Sequence, residues 1–461
     1  MTLIKSISGI RGTIGGPPGE ALTPLDAVKF AAAFGMWIKS RKGKKVVIGR
    51  DARPSGEMVS QLVSATLQGL GLDVIDLGLS TTPTVEIAVP AEKAGGGIIL
   101  TASHNPVQWN ALKLLNEKGE FISGSDGAEV LKIAEAEKFD FAPVEKLGTY
   151  SQNNSYIQKH INLILKHKLV DVKAIRNAKF KIAVDAVNST GGIVVPQLLK
   201  ALGVKKVVAL YCEPNGKFPH NPEPLPEHLT VISKAVKKEK CDLGIVVDPD
   251  VDRLALIQED GKPFGEEYTL VAVADYYLSK RKGNTVSNLS STRALRDVTE
   301  KAKGQYNAAA VGEVNVVTKM KETNAVIGGE GNGGIIVPDF HYGRDALIGI
   351  ALFLTHLAKS KMKASELRKS YPAYFISKNK IELTPQINVD EVLEKIKTRY
   401  YSEKINTIDG VKIDFEKERE WVHLRKSNTE PIIRIYAESQ NEQKADQLAQ
   451  RIIQDIKEII K

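Results

Sequence analysis

The sequence predicts an α/β protein of four domains, three related α/β units in tandem followed by a smaller α+β unit. Short β-branched runs alternate with helix-length stretches, the pattern of parallel βαβ units. That pattern starts afresh twice and then gives way after about residue 370 to short strands between two helices. Length agrees with this division. Single hydrophobic cores stop growing near ~250 residues, so a chain of 461 residues divides naturally into three or four domains.

The first unit contains KKVVIGRD from Lys44, a helical stretch from about Met58 to Gly69, LDVIDLG, a second helix and GGGIILTAS. The second contains KIAVDAVNSTGG from Lys181, a helix toward Leu202, KVVALYC, a helix near Pro226 to Lys238, and CDLGIVVDPDVDR. The third runs from about Leu254 through TVSNLSS, NAAAVG and AVIGGEGNGG. In the last, IEL, KIDF, EWVHLRKS and PIIRIYAES are short strands between helices at 388–399 and 442–460. The expected domains are therefore 1–150, 151–253, 254–370 and 371–461. No low-complexity linker separates them, which predicts close packing around a shared cleft.

Bulk properties narrow the function classes. Hydrophobic residues at 42% and charged residues at 26% indicate neither disorder nor a coiled coil. The net charge of +9 suits an anionic partner. Nucleic acid is disfavoured, because the positive residues of segments such as Lys234 to Lys240 are interleaved with apolar positions, as on a solvated helix face. Cys212 and Cys241 form no CxxC or Cys/His array, which argues against a disulfide framework and a zinc site. The opening MTLIKSISGIRG has no apolar h-region, and no stretch reaches the roughly 18 apolar residues of a membrane span. No membrane association and a cytoplasmic location are expected.

Ligands of parallel α/β units bind at the carboxyl ends of strands, so the loops there carry the candidate chemistry. After GGGIIL comes Thr101-Ala102-Ser103-His104-Asn105-Pro106. A serine so placed can be a nucleophile or phosphoryl carrier, and the same residues also suit an ordinary turn. After CDLGIVV comes Asp248-Pro249-Asp250-Val251-Asp252-Arg253. Carboxylates at alternate positions of a segment kept extended by Pro249 would point one way, and their convergence suits a hard cation such as Mg²⁺ or Ca²⁺. A solvated acidic turn is the other reading. An EF-hand is disfavoured, because its glycine and closing Glu are missing. Gly328 to Gly334 lets backbone approach a ligand while Glu330 and Asn332 offer groups suited to sugar hydroxyls; a plain flexible turn fits equally. Finally, Arg425-Lys426-Ser427-Asn428-Thr429-Glu430-Pro431 leads into a strand carrying Arg434. Two guanidiniums, hydroxyls and loop backbone suit a phosphate dianion, with a basic turn as the alternative.

SGIRG at 8–12, TASHNP at 101–106, DPDVDR at 248–253, GEGNGG at 329–334 and RKSNTEP at 425–431, in this order, resemble the α-D-phosphohexomutase family over essentially the whole chain. The resemblance implies a four-domain heart-shaped architecture. It implies that Ser103 is the phosphoserine, that Asp248, Asp250 and Asp252 hold Mg²⁺ with a phosphoserine oxygen as fourth ligand, and that Arg11 and Arg253 lie near the transferring phosphoryl. Lys113 matches a lysine credited with acid/base work, and His104 the active-loop histidine. Glu330 and Asn332 stand where the family contacts sugar hydroxyls. Arg425, Ser427, Asn428 and Thr429 stand where it holds the non-reacting phosphate. Two departures stand out: Asn332 occurs where many relatives have Ser, and Gly334 where they have His. At Glu313, in VGEVNV, some phosphomannomutases carry His beside the sugar.

The implied enzyme is an intramolecular phosphotransferase acting on a phosphorylated hexose through a 1,6-bisphosphate, which would also prime Ser103. Glucosamine 6-phosphate going to glucosamine 1-phosphate is the expected reaction, from the look of the SGIRG and GEGNGG segments. Phosphomannomutase or phosphoglucomutase is the alternative, toward which Asn428 tilts. A metal and sugar-phosphate binding protein without catalysis is the alternative of another class. Glu313 either pairs with the ammonium of an amino sugar or simply begins the helix after Gly312.

Overall fold

The computed structural model describes residues 2–6, 9–384, 386–426 and 432–460. Each of the three α/β units is built on its own sheet. In the first, the strands Gly96–Leu100, Lys45–Arg50, Asp73–Leu79 and Tyr150–Gln152 lie parallel in that spatial order. The antiparallel strands Trp109–Leu115, Gly9–Thr13 and Leu3–Ser6 extend the edge beyond Gly96–Leu100. Runs such as VVI and GGIIL are buried continuously because helices cover both faces, which a parallel sheet requires. The helix Gly56–Gly69 lies where the apolar periodicity predicts it.

The second sheet has the order Leu254–Gln258, Leu243–Val247, Lys181–Asp185, Lys206–Leu210. Here the structure moves a boundary. Leu254–Gln258 runs back antiparallel to Leu243–Val247, so the second unit keeps this strand, and the expected division at 254 falls inside a hairpin. The strand Tyr150–Gln152 likewise straddles the expected division at 150 while pairing into the first sheet. The third sheet orders Tyr306–Ala309, Asn284–Asn288, Ala325–Glu330, Gly334–Val337 and His341–Arg344. The last unit is a five-stranded antiparallel sheet backed by Val389–Arg399 and Glu442–Ile459, close to the helices read from the sequence.

The second and third units share one continuous apolar core, in which the helix Ala346–Ser360, buried over its first ten residues, packs on Glu266–Lys280. Buried polar groups tie in the first. His160, from the second unit, lies between Thr84 of the first (Nδ1 to Oγ1, 2.9 Å) and Asp345 of the third (Nε2 to Oδ2, 2.9 Å). Asp345 also caps Ala346–Ser360 by accepting from the backbone of Leu347 and Ile348. The loops at the carboxyl ends of the three sheets are thereby held against one another. Among the described residues no helix is long and apolar enough to cross a membrane.

Candidate active site

Ser103 follows the buried strand Gly96–Leu100, and its backbone adopts a left-handed φ of 49°. Three contacts hold it there. Its N–H donates to Thr101 Oγ1 at 2.9 Å, and its carbonyl accepts from Arg53 Nη2. Its own Oγ donates to Asp248 Oδ2 at 2.9 Å. The serine of the first unit is thus brought onto the acidic loop of the second.

That loop is a tight turn rather than the extended segment expected. Val251 adopts φ 63° and its N–H donates to the Asp248 carbonyl, so the three carboxylates converge through a reversal of the chain and not through strand alternation. One oxygen from each of Asp248, Asp250 and Asp252 lies within 4.8 Å of the others. All three are buried. Asp248 Oδ1 accepts from the N–H groups of Asp252 and Arg253, both at 3.1 Å. Asp250 Oδ2 takes the Lys113 ammonium at 2.8 Å and the Thr82 hydroxyl. Asp250 Oδ1 and Asp252 Oδ1 are buried without a hydrogen-bond partner.

The electrostatics follow from this geometry. Burial, then repulsion from Asp252 and Asp250, pushes the Asp248 carboxyl well above its ordinary range. Burial also raises Asp250, but Lys113 and Thr82 outweigh it and hold that carboxyl low. Lys113 is depressed by burial and raised further by Asp250 and Asp252, so its ammonium persists. Three buried carboxylates meet the Lys113 ammonium and the Arg344 guanidinium, yet one oxygen each of Asp250 and Asp252 stays orphaned, an arrangement that fits a divalent cation bound by oxygen ligands.

Arg11, on the strand Gly9–Thr13, donates to Asn105 Oδ1 at 2.8 Å. Arg253 lies 3.4 Å from Glu223, and its Nε is buried without a partner. His104 Nδ1 stands 3.4 Å from Ser103 Oγ. Burial and the neighbouring Arg253 and Arg11 push its imidazole down to about 2, so it is neutral. Cations and a neutral imidazole therefore surround the serine.

At the other side stands the glycine loop. Gly333 has φ 85°, and a Cβ there would lie 2.4 Å from the Leu254 carbonyl, so only glycine lets the loop close on the second unit. Glu330 ends the strand Ala325–Glu330 and accepts from Asn288 at 2.9 Å and the Gly312 N–H at 3.1 Å. Asn332 Oδ1 accepts from the Gly334 N–H at 3.3 Å. Glu313 does begin a helix, Glu313–Glu322, directly after Gly312, and its carboxylate is buried.

Arg425 and Arg434 are directly opposed on neighbouring antiparallel strands, with Lys380 opposite Arg434 on the next. Like charges so paired repel and favour an anion beside them. Arg425 Nε stands 2.9 Å from Asp409, which also accepts from the Val311 N–H at 2.9 Å, next to the Gly312 that holds Glu330. This links the basic strands to the glycine loop. Ser427, Asn428 and Thr429 lie outside the described residues.

Two arginines absent from the sequence reading complete the site. Arg53 is fully buried, paired to Asp51 at 2.9 Å, and donates to the carbonyls of Ser103, Asn105, Pro106 and Trp109. It sits just after the strand Lys45–Arg50, so the strand-end rule applied to RDARPS would have found it. Arg344 reaches Asp252, Glu313 and Glu330. It too ends a strand, His341–Arg344.

The four domain models of the phosphoglucomutase/phosphomannomutase family match in order: α/β/α domain I at residues 3–141, domain II at 155–261, domain III at 265–374 and the C-terminal domain at 379–455. The chain belongs to the α-D-phosphohexomutase family. It is accordingly an isomerase of the mutase type, and the four-domain division is that of the family. It is 36% identical over 459 residues to a phosphoglucomutase/phosphomannomutase of Thermococcus kodakarensis, covering 98% of this chain and 99% of that one. It is 32% identical to a phosphoglucosamine/phosphogalactosamine mutase of Sulfurisphaera tokodaii, covering 98% of each. A phosphoglucomutase/phosphomannomutase family protein of Burkholderia thailandensis superposes with a TM-score of 0.84 at 25% identity, covering 98% of this chain and 97% of that one. At Gly334 the stem of Arg344 fills the space that a side chain would occupy.

Proposed function

We propose that this phosphohexomutase interconverts glucosamine 6-phosphate and glucosamine 1-phosphate through phosphorylated Ser103. The observation that carries the choice of sugar is the charge balance at the glycine loop. Glu313 and Glu330 share a single guanidinium, Arg344, which also serves Asp252. That acidic excess favours an ammonium-bearing sugar over a neutral one. Relatives named phosphoglucosamine mutases, at 30–32% identity over the whole chain, support the reading.

In this mechanism the Ser103 Oγ–P bond breaks as a sugar hydroxyl oxygen forms its bond to phosphorus, giving a hexose 1,6-bisphosphate. The bisphosphate turns over in the cleft, and its other phosphoryl returns to Ser103. The neutral His104 takes the hydroxyl proton, the Lys113 ammonium stays charged against Asp250, and Arg11 and Arg253 balance the phosphoryl charge. Asp248, Asp250 and Asp252 would hold Mg²⁺, which when bound neutralises charge developing on the phosphoryl group. Arg425 and Arg434 would grip the phosphate that is not reacting.

Specificity constants for glucosamine, mannose, glucose and galactosamine phosphates test the proposal. Glucosamine phosphate should be preferred. Glu313→Gln should cost it roughly 1 to 3 kcal/mol of transition-state binding, the scale of a charge-assisted hydrogen bond, and cost neutral sugars less. An equal loss for both classes would sink the ammonium contact. The 36%-identical relative favours the second reading, a phosphoglucomutase/phosphomannomutase, which a preference for neutral hexoses would establish.

A further inference from the structure

Arg344 is a buried guanidinium that meets carboxylates from a loop, a helix start and a strand end. Its Nη2 lies 2.6 Å from Asp252, its Nε 2.8 Å from Glu313 and its Nη1 3.0 Å from Glu330. Asp252 belongs to the proposed metal loop of the second unit. The two glutamates belong to the sugar side of the third. No other described side chain is seen to hydrogen-bond or ion-pair with both groups of acids.

The space for this side chain is made at Gly334. A Cβ on Gly334 would fall 2.4 Å from Arg344 Cδ and 3.1 Å from its Cγ. Those atoms are the stem of a side chain pinned at its far end, so they cannot swing aside as a free tip would. Gly334 has no positive φ, unlike its neighbour Gly333, so its backbone does not demand glycine. The missing side chain is accounted for by the arginine that lies over it.

Asp252 uses its two oxygens differently. Oδ2 faces Arg344 and stands 3.7 Å from Lys113, whereas Oδ1 is buried and unpartnered. A cation at Oδ1 would relieve Arg344 of neutralising Asp252. The guanidinium is then free to hold Glu313 and Glu330 more firmly, because its planar fork is shared among all three acids.

We propose that Arg344 is a positioning residue that couples cation binding at Asp252 to sugar recognition at Glu313 and Glu330, and that Gly334 exists to admit it. The inference rests on the reading of the glycine loop as the sugar site, but not on which hexose is used. Coupling through a shared side chain is a free energy, and it is reciprocal: the cation tightens the sugar, and the sugar tightens the cation by the same factor.

Calorimetry on unphosphorylated protein, titrated with glucose 1-phosphate, whose neutral sugar does not respond to the charge left on the glutamates, or with inorganic phosphate, each with and without Mg²⁺, tests this. Direct attraction between cation and phosphate acts on both ligands. Coupling through Arg344 acts only on the one bearing a sugar. The native protein should show a Mg²⁺ effect on the sugar phosphate larger, by roughly tenfold, than its effect on inorganic phosphate, within the usual range of such couplings. Arg344→Gln should remove the surplus and leave the inorganic phosphate effect intact, while Arg344→Lys, which keeps the charge without the fork, should restore only part of it. Gly334→Ala retains every charged group and should still diminish the surplus by displacing the stem. It carries the test if Arg344→Gln fails to fold. A native protein whose two ligands respond equally to Mg²⁺, or variants that keep the native surplus, would overturn the proposal. A mutase assay on the same preparation separates that outcome from failure of the proposed reaction.

Discussion

Asp250 shows how much of the site one residue can carry. Its Oδ2 is committed to Lys113 and Thr82, while Oδ1 is buried with no donor. Asp250→Asn would keep the shape, remove a ligand charge and leave the Lys113 ammonium facing an amide. Mg²⁺ affinity should fall by roughly tenfold or more, and excess metal should recover only part of the rate. Mg²⁺ titration of activity and of binding checks this; activity that survives complete chelation would exclude the metal role. Ser103→Ala should remove at least about two to three orders of magnitude of turnover with the fold unchanged, and abolish the phosphate-sized increment in intact mass expected of part of the native population. Near-normal turnover would end the phosphoserine mechanism. Ser103 and the three aspartates are legible in the sequence because each motif is local. Arg53 and Arg344 follow or end strands and so are open to the strand-end rule, but no local motif marks them, and their partners Ser103 and Asp252 lie 50 and 92 residues away.

At the scale of the element, the loops matter more than the strands that carry them. Apolar periodicity locates Gly56–Gly69, Val389–Arg399 and Glu442–Ile459 closely, since burial on one face leaves a pattern in the residues themselves. Loop shape leaves no such pattern. Val251 is β-branched yet takes φ 63°, a conformation imposed by complete burial and by the backbone bond to Asp248. The serine loop is held in the same way from outside, its four carbonyls gathered by the Arg53 fork. Arg53→Lys keeps the charge opposite Asp51 but cannot reach four acceptors at once. The fold should persist while kcat drops roughly 10 to 100-fold, the scale of a lost supporting contact. Amide hydrogen exchange should quicken at residues 102–105 and not in the neighbouring strands. Unchanged exchange there would show that the loop holds its shape without the fork.

At the scale of the whole molecule, pH should act at the seam between the third and fourth units. The second and third units are welded by a common core, and the hairpin that moves their expected boundary is part of the weld. The fourth unit has its own core and docks through polar groups. Ser290 meets His423 at 2.9 Å, and Lys412 donates to the Leu289 carbonyl at 2.8 Å. Arg293 and Arg296 both reach Glu416. Glu438 Oε1 accepts from the Arg293 N–H at 2.8 Å and from Trp421 Nε1 at 2.7 Å, whereas Oε2 is buried with no partner. Burial raises the Glu438 carboxyl from 4.5 to about 7, against the opposing pull of the Thr292 hydroxyl, the Arg293 N–H, Lys412 and Trp421. A folded-state value above the unfolded one means the native protein keeps its proton longer. Stability is therefore lost as pH rises from about 4.5 through about 7, and the loss is complete above that. Glu267, pushed up to about 8 beside the same seam, adds to the slope, so the native protein alone cannot identify the group. Glu438→Gln can, because the amide retains an oxygen acceptor and does not titrate. Relative to the native protein, the variant should gain on the order of 1 to 3 kcal/mol between about pH 5 and about pH 8. Denaturant midpoints followed by tryptophan fluorescence measure the gap. A difference between the two proteins that stays constant across that interval would show that Glu438 is ionised at the seam throughout.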